Sequence, residues 1–178
     1  MMERDPDLSL GGFSLWLTGQ PYPDAEEPYG QDLWDFQTAI ETPCSTVRTA
    51  GVLSAASLSG FSRDLNAIHE TLGGEAVLEA DGGGATLILT LAMRSRGHVE
   101  TVLDLRLGYG DDERHRFVWD LDQTFLEPFA RQVRALSSAY PSPFPARILE
   151  RDRVSEPQKS GLTSRILDAI FGKRPDPN

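Results

Sequence analysis

The stretch SAASLSGFSRDLNAIHETLGG, residues 54–74, is where the chain changes its hydrophobic period, and its reading decides the fold class. Leu58, Phe61, Leu65, Ile68 and Leu72 recur at spacings of three and four, which lines one face of an α-helix. Ser54 or Ser57 can cap its start with a side-chain oxygen, and Gly73-Gly74 supplies the stop. On both sides of this helix the apolar residues alternate instead, as half-buried strands require.

Upstream, Leu10 to Thr18 reads as a strand with Phe13, Leu15 and Leu17 on one face. Gly19-Gln20-Pro21-Tyr22-Pro23 ends it, because proline donates nothing to a ladder and restricts the residue before it. Asp24 to Gly30 is a polar, acidic loop, and Leu33 to Glu41 is a second strand alternating through Trp34, Phe36, Thr38 and Ile40. Thr42-Pro43 breaks that strand, and Thr46 to Val52 returns as a third.

Downstream, strands are expected over Ala76–Glu79, Thr86–Met93 and His98–Leu107, then one with Phe117, Trp119 and Leu121 on a single face. Glycine-rich turns at Asp81–Gly84 and Gly108–Glu113 separate them. A second helix follows, capped by Asp122, striped by Leu126, Phe129, Val133 and Leu136, and stopped by Pro141. The expected fold is therefore α+β in the order β-β-β-α-β-β-β-β-α. It has a mostly antiparallel sheet of about six to seven strands with two amphipathic helices packed on it. One domain is expected over residues 8–141. Residues 142–178 read as a Pro-rich, charged tail with a short amphipathic helix over 162–171.

Composition narrows the function classes. The formal net charge is −10, and Lys159 and Lys173 are the only lysines. Nucleic acid and anionic membranes both demand a basic face, so neither is expected as the partner. A basic protein fits the charge, as does plain solubility. A lone cysteine, Cys44, excludes an intramolecular disulfide and a thiolate metal cluster. The acidic N-terminus lacks the basic and apolar regions of a signal peptide, and no apolar run is long enough to span a bilayer. A cytoplasmic location is expected.

The charge is concentrated: nine acids and a single Arg precede Ser45. Asp24, Glu26, Glu27, Asp32 and Asp35 fall close together with no base among them, interleaved with Tyr22, Tyr29 and Trp34. Like charges so crowded repel one another, a cost that a basic partner relieves, and aromatics inside a charged rim are what interface centres contain. Tyr22, Asp24, Glu26, Glu27, Tyr29, Asp32 and Asp35 are thus the candidate partner-binding residues. An ordinary solvated loop with Trp34 in the core is the competing reading, and the residues alone leave both open.

Catalysis is not expected. None of His69, His98 and His115 is followed at i+3 or i+4 by a second histidine or a carboxylate in the manner of a zinc helix motif. Asp120-x-Asp122 is a weak cation motif, since Asp122 already serves as a helix cap. Cys44 has no base beside it, Gly-x-Ser-x-Gly is absent, and Gly82–Gly84 precede no Lys-Ser/Thr phosphate loop. No cofactor or metal is expected.

The order Phe13-x-Leu15-x-Leu17-x-Gly19-x-x-Tyr22-Pro23-Asp24, then Asp32-Leu33-Trp34, then a helix, strands and Leu126 to Pro141, resembles the WapI-type immunity proteins of bacterial polymorphic toxin systems. The resemblance spans residues 10–141, and the opening motif is its most specific part. Asp32-Leu33 stands before Trp34 where the family pattern has an Asn-Trp pair, and the tail after Pro141 is additional. The resemblance implies a cytoplasmic protein that binds and neutralises the toxin domain of a co-encoded secreted protein by stoichiometric occlusion. Such toxins are often nucleases with basic active-site surfaces.

Two other classes compete. An acidic secretion chaperone or adaptor would be a homodimer that binds an unfolded effector segment, with the tail helix as a docking element. A small metal-dependent hydrolase would be built around Asp120 and His115.

Overall fold

A computed structural model describes residues 4–94, 97–108 and 113–143. The helix expected over 162–171 lies outside the described residues. Strands β1 (Leu8–Leu10), β2 (Phe13–Gly19), β3 (Leu33–Glu41) and β4 (Thr46–Ser54) form one antiparallel sheet in chain order. A short helix, α1 (Pro28–Gln31), interrupts the β2–β3 connection. Helix α2 (Ala55–Thr71) leads to a second antiparallel sheet of β5 (Glu75–Gly82), β6 (Ala85–Met93), β7 (His98–Leu107) and β8 (Glu113–Asp122). Helix α3 (Leu126–Ala139) follows a single 3-10 turn over Gln123–Phe125.

The fold is α+β and antiparallel as the periodicity predicts, and the main elements come in the predicted order. The sheet itself differs: among the described residues eight strands make two sheets of four, not one sheet of about six to seven. Period two reveals which residues share a face but not which strand edges meet, so the partition escapes it. Gly11-Gly12 accounts for the extra strand. Gly11 adopts a left-handed φ of +57°, and a Cβ on Gly12 would come within 2.0 Å of the Glu41 carbonyl oxygen. The chain can therefore fold back tightly there, pairing Leu8 with Leu15.

One hydrophobic core serves both sheets and both long helices. Phe13, Phe36, Phe61 and Phe129 are its largest fully buried side chains, and each is worth about 1.5–3 kcal/mol of burial. Phe61 of α2 and Phe129 of α3 meet edge to face with centroids 6.2 Å apart, so the two helix stripes pack on each other over the sheets. Trp34 is only partly buried, and its ring meets Tyr140 at 4.3 Å in the same geometry.

The helix ends depart from expectation at two places. Leu72 is not part of the buried stripe: it takes the left-handed cap conformation itself (φ 51°) and is 57% exposed. The stop thus falls one residue before Gly73. Asp122 does not cap α3 directly. It accepts from Thr124 N–H at 2.9 Å and caps the intervening 3-10 turn, while α3 begins at Leu126 without a side-chain cap.

Candidate functional site

The acidic β2–β3 connection is folded by its own backbone. Ala25 N–H donates to Tyr22 O at 3.1 Å, and Asp32 N–H reaches Pro28 O and Tyr29 O at 3.1 and 3.2 Å. Gln31 ties the two limbs together, donating to Ala25 O at 3.0 Å while its own carbonyl accepts from Gln20. Pro28 opens α1, where its missing N–H is no loss. Gly30 lies so near Ala25 that a Cβ would stand 2.5 Å from the Ala25 methyl. The short helix turns a sequence that reads as loop into a defined ridge.

That ridge forms one wall of a cleft of about 630 Å³. Tyr22, Glu26, Glu27 and Tyr29 line it from the connection, Leu33 and Val52 from β3 and β4, and Asp81, Gly82 and Gly83 from the β5–β6 turn. Tyr22 and Tyr29 are 58% and 69% exposed, so two large aromatic faces meet solvent beside the acids. Asp81 accepts from Thr86 Oγ1 at 3.0 Å, which holds its carboxylate in place. No basic residue lines the cleft among the described residues.

The far wall depends on close glycine packing. A Cβ on Gly51 would stand 2.9 Å from two Phe36 ring carbons and 3.2 Å from Gly82 O, and one on Gly82 would stand 3.1 Å from Val52 Cβ. Gly82 also has a φ of +149° and Gly83 of +67°. Only glycine lets β4 and the β5–β6 turn approach this closely.

The candidate residues therefore separate. Tyr22, Glu26, Glu27 and Tyr29 share the cleft, and Asp24 is exposed on the same connection without lining it. Asp35 is half-buried in an adjoining groove of about 270 Å³ that shares Val52 and Gly83 with the cleft. Asp32 leaves the set, since it is 3% exposed and a structural residue. Its carboxylate accepts from Ala56 N–H at 3.2 and 3.3 Å, from Ser142 Oγ at 2.6 Å and from Ser54 Oγ, and its carbonyl accepts from Ala55 N–H at 2.7 Å. Together with Ser54, which accepts from Ser57 N–H at 3.3 Å, it caps α2. Asp81 is the residue the sequence reading missed. It lies far along the chain in what reads as a plain Gly-rich turn, and only the meeting of the two sheets brings it to the cleft.

The residues considered for catalysis lie elsewhere. His98 Nδ1 is 3.4 Å from Asp120 Oδ2 across the β7–β8 ladder, and His115 Nε2 is 2.5 Å from Glu113 Oε1. No described helix is long and apolar enough to cross a membrane.

Fold and cleft thus define an α+β protein of two antiparallel sheets that presents tyrosines and carboxylates around a small apolar floor. The model of the WapI-like immunity protein family matches residues 7–141, and the chain belongs to that family. Membership supports an immunity function and a non-enzymatic role, and it implies a toxin as partner. No curated protein matches the chain.

Proposed function

We propose that this protein binds and neutralises a cognate toxin domain by stoichiometric occlusion, with the tyrosine-and-carboxylate cleft as the contact surface. The observation that carries the reading is the convergence of Glu26, Glu27 and Asp81 on a cleft flanked by exposed Tyr22 and Tyr29 and lined, among the described residues, by no base. Carboxylates in a cleft focus a negative field, which steers a basic surface and raises the association rate. Exposed tyrosines supply rigid contact area whose burial at an interface centre is worth more than the rim charges. The fitting partner surface is basic, such as the substrate cleft of a nuclease, and Asp24 and Asp35 extend the same field beside the cleft. Encounter takes place in the cytoplasm, with residues 8–141 as the binding domain and 142–178 as an appended tail.

The test is titration calorimetry of the full chain against the folded cognate toxin domain, with charge reversal at Glu26, Glu27 and Asp35. A 1:1 complex weakened by salt and by the reversals is expected, together with loss of protection in cells carrying the toxin. Unchanged binding and protection in the reversed variants would overturn the role of this cleft. Binding confined to an unfolded segment of the partner would favour a chaperone instead.

A further inference from the structure

Strand β8 ends its sheet, and among the described residues no strand pairs with its other edge. Half of its residues must therefore direct backbone N–H and C=O groups outward, a template for another strand. Natural edges are usually blunted by proline, a bulge, a short length, a covering segment or charged side chains, and of these β8 carries the charges. β8 has ten residues, lacks proline and glycine, and keeps unbroken register with β7 from Glu113 to Asp122.

Its solvent face carries an ordered set of charges. Arg114, Arg116, Val118, Asp120 and Asp122 alternate along it, bases before and acids after a valine that is 58% exposed. On the β7 side two of these meet the wrong sign, for Asp120 stands opposite Glu100 and Arg114 opposite Arg106. Like charges directly opposite in a ladder are unfavourable.

We infer that β8 pairs antiparallel with β8 of a second copy of this chain about a twofold axis through Val118. That register sets Val118 against its own counterpart, Arg116 against Asp120 of the second copy, and Arg114 against Asp122, each pair occurring twice. On the other face Phe117 meets Trp119, two half-buried rings that already stack at 5.9 Å within one strand. A slip of one residue would set core-facing side chains against solvent-facing ones, and a slip of two would put Val118 opposite a charge. The pattern is self-complementary, as an isologous interface requires, and the pairing consumes the edge in both copies, so the assembly closes as a dimer. Arg114 is already bonded to Asp104 at 2.8 Å, Asp122 to Thr124, and Asp120 lies 3.4 Å from the His98 imidazole, so Arg116 is the group that gains most, through Asp120 of the second copy. This inference is independent of the toxin-binding cleft, which lies on other elements.

The test is sedimentation and light scattering of the full chain. The wild type is expected to be a dimer. R116D and D120R each turn two attractions into two repulsions and should each raise the dissociation constant about tenfold or more. Mixing R116D with D120R restores opposite charges at both pairs, so native mass spectrometry should find the heterodimer dominant. V118K sets two ammonium groups together at the axis and should also give monomer, with the circular dichroism of each variant unchanged. A monomeric wild type, a dimer indifferent to the reversals, or a mixture that stays monomeric would overturn the inference.

Discussion

Asp32 and Ala56 meet at the start of α2, where the Ala56 N–H donates to both carboxylate oxygens of Asp32 at 3.2 and 3.3 Å. The contact joins the end of the acidic connection to the first turn of the helix, and Ser142 brings the chain beyond α3 to the same carboxylate. Asp32→Ala removes a helix cap and leaves buried donors unpaired, at about 2–4 kcal/mol. Asp32→Asn retains an acceptor and should lose clearly less. Urea unfolding checks both, and an unchanged midpoint for the alanine variant would refute the capping role.

Tyr22 and Tyr29 are exposed and make no side-chain hydrogen bond among the described residues. Their replacement by alanine should change stability by less than about 0.5 kcal/mol. If the cleft holds the toxin, each replacement should weaken the complex by about tenfold or more. Calorimetry beside thermal melts separates the two effects, and full affinity in both variants would remove the tyrosines from the interface.

Gly51→Ala places a methyl against the Phe36 ring and the Gly82 carbonyl. Overpacking of this kind costs about 1–3 kcal/mol. The melting temperature should fall, and wild-type stability would mean that β4 and the β5–β6 turn can separate without penalty.

Leu72 holds a left-handed backbone that an L side chain disfavours, and it is mostly exposed, so little packing offsets the strain. Leu72→Gly should stabilise the protein by about 0.5–1 kcal/mol. A lower urea midpoint would show that the leucine side chain matters more than the backbone.

The Asp122 carboxyl is held below its ordinary value, chiefly by the hydrogen bond from the Thr124 backbone. A folded-state value below the unfolded one stabilises the fold at pH above the unfolded value. That contribution is lost as pH falls through the folded one. Asp122→Asn keeps an acceptor for the Thr124 N–H but cannot titrate. Wild type and variant should therefore converge in stability as acid is added, and parallel curves across the acid range would contradict this.

Much of the fold was legible in residue spacing. The two long helices declare themselves through stripes such as Phe61-Leu65-Ile68 and Phe129-Val133-Leu136, and the strands through alternations such as Phe13-Leu15-Leu17, because burial on one face imposes the period. The acidic connection was legible too, as were the tyrosines within it. All of these are local consequences of which side chains tolerate water.

What spacing does not carry is contact between distant segments. Asp32 and Asp35 look alike in sequence, yet one is buried as a helix cap and the other lines a groove, because the cap arises only when α2 starts beside β3. Asp81 joins the cleft only where Gly51 and Gly82 allow two backbones to touch, and the partition of the strands into two sheets depends on which strand edges meet. The sequence by itself determined the elements, their order and the sign of the exposed charge. The tertiary structure alone decided which carboxylates line the cleft, since that depends on how the sheets meet and not on any residue's own preference.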